Sequence, residues 1–266
     1  MINWALYKQG IKSNYKIVLL FFGLLALYIT SIISMYNPEA LSVMEEFTRT
    51  MPEIMAMVGM TGDSTTMMGY LITYLYGFIF LVIPFIVTVI IANNLVASYV
   101  DRGSMVYLLS SPNSRKTIIF TQMKVLGTFI FAIIAYCTIL TIIFSEVMFP
   151  GDLAIDKLLI INFGLLILHI FLGGIAFASS TIFNDMKLSL MFGGGIPLAF
   201  FLIQMLSNMG GKLEDLKFFT IFTLFQPHKI LSGETQGYLM IGVLAILAII
   251  LYVLAFYIFK KKDLSI

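Results

Sequence analysis

The chain has 266 residues, of which 60% are hydrophobic and only 11% charged, whereas a soluble domain carries roughly 25% charged residues. Its net charge of +2 gives no basic surface for nucleic acid. The single cysteine, Cys137, excludes an intramolecular disulfide and a cysteine-built metal site.

In chain order, residues 3–15 place Trp4, Leu6, Tyr7 and Ile11 around Lys8 and Lys12. This pattern predicts a short interfacial helix with its rings at headgroup level; a disordered basic tail is the alternative. The apolar run at 17–35 is too long for the core of a signal peptide and closes on no clear small-x-small cleavage site, so it reads as a retained first span. Residues 37–68 form a long connection. Within it, Met44, Phe47, Met51, Ile54 and Met55 alternate with Glu45, Glu46, Arg49 and Glu53 like a surface helix, which Pro52 should break or kink.

The second span is predicted at 69–92. It is followed by a connection whose core, residues 100–118, reads VDRGSMVYLLSSPNSRKTI. Asp101 or Ser104 can cap a short helix there, Met105, Val106, Leu108 and Leu109 form an apolar patch, and Pro112 ends it. An apolar surface helix between charges suits a docking plug for a partner, or a linker lying on lipid.

Further spans are predicted at 125–144, 158–183, 188–206 and 237–259. The third holds Cys137 as a small buried residue, with Lys124 and Glu146 near its opposite ends. The fourth carries His169 near its centre and the small-residue cluster Gly173, Gly174 and Ala178; the fifth carries Gly193, Gly194 and Gly195 ahead of Pro197. An ionisable group inside a span is a functional candidate by default. His169, however, has no acidic partner in its run, so a hydrogen-bonded packing role stands beside a pathway role. The glycines fit ordinary helix packing, or a moving helix or subunit interface.

Six apolar runs define an all-α integral membrane protein, because backbone in lipid must pair within its own segment. Residues 1–266 are read as a single transmembrane domain. With the N-terminus inside, 11 of the 16 Lys and Arg residues fall on inner segments and 11 of the 14 acids on outer ones. That asymmetry predicts both termini in the cytoplasm. No phosphate-binding loop is present: Gly210, Gly211 and Lys212 lack the upstream glycine, and Leu213 stands where a hydroxyl is needed. No H-E-x-x-H or G-x-S-x-G pattern occurs either, and His169 and His228 lie in different regions. The chain is therefore not expected to be an enzyme or to hold a cofactor or metal.

The stretch Asp101, Arg102, Gly103, Ser104, then Leu108 and Leu109, then Pro112, Ser114 and Arg115, resembles the loop after the second span in permease subunits of type-2 ATP-binding-cassette exporters. Ser104 stands where threonine is usual, and Asn113 separates the proline from the serine. The ending from Phe259 through three lysines to Asp263 and Leu264 is similar to that family's as well. The resemblance implies two permease subunits, identical or related, and one ABC ATPase subunit for each, two copies in all, with ATP and Mg bound there. Residues 101–115 would be the coupling helix, with Asp101, Arg102, Gly103, Met105, Leu108, Leu109, Pro112 and Arg115 at the ATPase. His169, Gly173, Gly174, Gly194 and Pro197 would be pathway or interface candidates. The substrate would be amphipathic or hydrophobic, such as a peptide, lipid or drug, exported across a bacterial plasma membrane. A non-transport membrane protein is the competing expectation.

Overall fold

The computed structural model describes residues 2–37, 46, 50–60, 65–110 and 113–262. All regular structure among them is helical, and six helices are long and apolar enough to cross a membrane.

Helix α1 (Trp4–Ser34) starts on Asn3, whose side chain accepts from the Leu6 amide. The amphipathic segment predicted as a separate interfacial helix is instead continuous with the first span. The 31-residue helix measures about 46 Å, well beyond one bilayer core. The reason is a parallel neighbour, α7 (Arg115–Met148), which begins ten residues ahead of the predicted third span. The Asn3 amide donates to Thr121 Oγ1 at 3.1 Å, Tyr7 Oη shares a hydrogen bond with Thr128 Oγ1 at 2.9 Å, and Phe22 stacks on Tyr136 at 4.1 Å. The N-terminal turns of α1 therefore stand upright along α7 rather than lying flat on lipid.

Helix α2 (Pro52–Met57) has Pro52 as its first residue, where the missing amide costs nothing. The rest of the predicted surface helix, including Met44, Glu45, Phe47 and Arg49, lies outside the described residues.

The second span is interrupted, not one helix. The short helix α3 (Met67–Leu71) passes into a π-helical turn (Ile72–Tyr76), breaks at Gly77 and Phe78, and resumes as α4 (Ile79–Leu95). At the break the chain after α2 crosses at backbone distance. A Cβ on Gly59 would sit 2.8 Å from the Gly77 Cα, and one on Gly77 would sit 2.9 Å from the Gly59 oxygen.

Two short helices follow, α5 (Ala97–Asp101) and α6 (Met105–Leu109). Then come α7, α8 (Ile155–Ile182) and α9 (Met186–Asn208), the last capped by Asp185, whose carboxylate accepts from Lys187 and Leu188. Two 3₁₀ helices (Gly211–Phe219 and Phe222–Leu224) and α10 (Pro227–Leu231) lead into α11 (Thr235–Lys261).

The bundle centre is α4 with α8. In the stretch Ile79–Asp101, 72% of the apolar window is buried, against 22% for α1, α9 and α11. Asn3 and Lys262 lie at one end of the bundle, the end that also carries α5 and α6. Arg115 donates to the Lys262 carbonyl at 2.7 Å. The Lys262 ammonium donates to the carbonyls of Thr181, Ile182 and Phe183 at 2.9, 2.9 and 3.0 Å. A cation on the free carbonyls of a helix C-terminus is a favourable cap. It fastens the end of α11 to the end of α8.

Candidate coupling surface and intramembrane polar sites

The turn after the second span is braced from below by one serine. Val96 leaves helical geometry (φ −131°, ψ −64°), which strands backbone groups between α4 and α5. Ser180 of α8 serves both sides: its hydroxyl donates to the Ala92 carbonyl at 3.0 Å and accepts from the Ala97 amide at 2.9 Å. Gly103 then takes φ +66°, a left-handed geometry that side chains resist, and turns the chain from α5 into α6. Ser104 Oγ donates to the Tyr99 carbonyl across that turn.

This bracing sets which way the apolar patch faces. Met105 is 3% exposed and belongs to the core, and Leu108 and Leu109 pack partly buried against it. Of the predicted apolar patch, Met105 is thus taken up by the bundle, and Leu108 and Leu109 present only part of their surface outward. What stands outward is Tyr107, 80% exposed, with Asp101, Arg102 and Gly103 beside it. Sequence reading passed over Tyr107, since an aromatic flanked by apolar residues carries no sign of its face. Arg115 is not a free surface charge; it holds the Lys262 carbonyl. Pro112 lies outside the described residues.

His169 is fully buried on α8, and its Nε2 lies 2.8 Å from the Phe80 carbonyl. A carbonyl only accepts, so Nε2 carries the proton. The partner explains the residue. Pro84 lies inside α4 and has no amide, which leaves the carbonyl four residues earlier, that of Phe80, without its helical bond. His169 supplies the missing donor from the neighbouring helix. The sequence held both residues but not the fact that they meet.

The glycine candidates divide. A Cβ on Gly173 would meet Ile130 Cδ1 at 2.7 Å and Tyr252 Oη at 3.1 Å, and one on Gly174 would meet Leu251 Cβ at 3.1 Å. Gly173 is thus a close contact of α8 with α7, α4 and α11, and Gly174 one with α11, inside one chain. Gly194 meets only Val89, at 3.3 Å, and Gly195 meets nothing. They line an apolar groove of about 390 Å³ between α4 and α9 with Phe85, Ile86 and Leu198, while Pro197 is buried.

The family model described as "ABC-2 family transporter protein" matches residues 8–264. The chain belongs to the ABC-2 transporter family. No curated protein and no solved structure matches it. The braced turn of this ABC-2 protein thus lies on the membrane part of a transporter, at the bundle end that gathers Asn3, Arg115 and Lys262. Its opposite end holds a second polar locus that the sequence did not announce. A cavity of about 300 Å³ there is lined by Gly59, Tyr76, Gly77, Gln204 and Gln226 among others. At its wall Tyr76 Oη donates to Asn162 Oδ1 at 2.6 Å. Among the described residues of this ABC-2 protein, no group of three or more His, Cys, Asp or Glu side chains is placed to hold a metal ion.

Proposed function

We propose that this ABC-2 protein is the membrane-spanning subunit of an ATP-driven exporter. Two such subunits, identical or related, enclose a path for an amphipathic or hydrophobic substrate such as a peptide, lipid or drug, and two copies of a separate ABC ATPase hydrolyse ATP with Mg. The bundle end bearing Asn3 and Lys262 faces the cytoplasm, where the excess of Lys and Arg belongs. The observation that carries this reading is the turn formed by α5 and α6. It is braced through Ser180 to two core helices and presents Tyr107 to the outside. A projecting aromatic on a rigid mount is the kind of anchor that dominates an interface. Its rigid tie to α4 and α8 carries ATPase motion directly into the bundle centre. Gly194 and Gly195 leave α9 open to a neighbour, which supports that face as the path or the subunit contact.

Co-purification tests this. The tagged chain is expected to bring down an ABC ATPase, and Tyr107→Ala to lower that recovery about tenfold or more, the loss expected of a hot-spot aromatic. The chain's membrane level should stay unchanged. Recovery of no ATPase at all would favour a membrane protein outside transport, and undiminished recovery with Tyr107→Ala would move the anchor elsewhere.

A further inference from the structure

Between α1, the end of α4 and the coupling turn lies a polar cavity of about 280 Å³, lined by Ser13, Asn14, Asn94, Ser98, Tyr99, Arg102 and Ser104. We propose that it binds the phosphate of an anionic phospholipid, held by the Arg102 guanidinium. This goes beyond the transport reading and does not depend on it.

The bonding of the lining residues sorts scaffold from ligand. Asn14 is buried and fully engaged: its amide donates to the Gly10 carbonyl at 2.9 Å and to Ser13 Oγ at 3.1 Å, and its oxygen accepts from Asn94 Nδ2 at 3.0 Å. Ser13 and Ser104 donate their hydroxyl protons to the carbonyls of Gly10 and Tyr99. These groups build the walls. What remains is a set of donors. Arg102 forms no ion pair among the described residues, whose one salt bridge joins Lys217 and Glu214. A guanidinium has five N–H groups in a fork that matches phosphate oxygens, and it has no acceptor. Ser98 and Asn94 line the same cavity, and a hydroxyl and an amide can each donate. A site of free donors with one permanent positive charge suits an acceptor-only anion.

Depth in the membrane selects the source of that anion. On α1 the uncharged apolar stretch begins at Ile17, three residues past Asn14, and residues 17–34 span about 27 Å. That matches a hydrocarbon core of ~30 Å. On α4 the apolar stretch ends at Ala92, directly before Asn93 and Asn94. Both helices therefore leave hydrocarbon at the level of this cavity, where lipid phosphates lie. Lys12 and Lys16, both exposed, flank Ser13 on α1 and raise the local positive potential. The volume suits a headgroup and not a whole lipid, whose chains would run down the exposed face of α1. A phosphate here ties α1 to the coupling turn, opposite the Ser180 brace. Arg102, expected from sequence to steer the ATPase, thus serves the bilayer instead.

The test uses the full chain, purified and delipidated, titrated with dioleoylphosphatidylglycerol or dioleoylphosphatidylcholine in mixed micelles. Bound lipid is counted by native mass spectrometry. The unaltered chain is expected to favour phosphatidylglycerol. Arg102→Gln, on an exposed turn where folding is not at stake, is expected to reduce that preference about tenfold, the scale of one charge-assisted phosphate contact. Arg102→Lys should retain part of it, and 10 mM inorganic phosphate should leave it unchanged. Preference surviving in Arg102→Gln overturns the assignment. Displacement by inorganic phosphate overturns the lipid as source. If Arg102→Gln lowers ATPase recovery while lipid preference persists, the guanidinium belongs to the protein partner and the proposal fails. Loss of ATPase binding in the unaltered chain would count against the exporter reading alone.

Discussion

Phe80, Pro84 and His169 form a unit of one missing donor and one supplied donor. Proline deletes an amide from α4, and the carbonyl it orphans lies deep among helices where water cannot serve it. Hydrogen bonds between membrane helices average ~0.6 kcal/mol, while an unsatisfied buried carbonyl costs ~1–3 kcal/mol. His169→Ala is therefore expected to destabilise the fold by about 1–2 kcal/mol and to lower transport no more than severalfold. The sharper check is a double-mutant cycle. Pro84→Ala restores an amide for the Phe80 carbonyl, so His169→Ala should cost much less in that background than alone. Equal costs in both backgrounds, read from unfolding in micelles, would detach His169 from the proline. Complete loss of transport by a well-folded His169→Ala protein would return it to a pathway role.

At the scale of the element, the interrupted second span is the feature with most leverage. A π-helical turn and a break between α3 and α4 leave room for the backbone around Gly59 to lie against Gly77, and neither position has space for a methyl group. Gly77→Ala pushes main chain against main chain, which no rotamer change relieves. It is expected to cost about 1–3 kcal/mol, with a lowered melting temperature in detergent. Gly195→Ala meets nothing within 4 Å of its added methyl and serves as the neutral control. A neutral Gly77→Ala would mean that the two strands of chain are not packed together. The turn formed by α5 and α6 shows a related lesson. Leu109→Asp would place a charge against the core and lower membrane levels of the protein, whereas Tyr107→Ala should affect partner binding alone, because the tyrosine touches little of its own chain.

For the whole molecule, a prediction concerns sidedness. Asn3, Lys262 and the turn formed by α5 and α6 share one end, and most of the basic charge lies there, so that end is expected to face the cytoplasm. In a Cys137→Ser background, single cysteines at Lys12, Ser114 and Lys261 should resist an impermeant thiol reagent in intact cells. Cysteines at Glu53 and Glu214 should react. Reaction at Lys261 without reaction at Glu53 would invert the arrangement and move the proposed ATPase surface to the wrong side.

The sequence by itself determined the six spans and the charge asymmetry between the two ends. Each depends on how many consecutive residues are apolar or charged, which is a one-dimensional property. Helical character was legible for residues 3–15, yet only α7, running alongside, decided that they stand upright in one helix with the span and not as a separate interfacial helix. The inward turn of Met105, the exposure of Tyr107, the bond of Arg115 to Lys262 and the meeting of His169 with the carbonyl freed by Pro84 were all settled by tertiary structure. The physical reason is common to them. Helices apolar on every side carry no periodic signal of which face meets a neighbour, and a polar group inside them acquires its role only from the particular donor or acceptor that packing brings within reach.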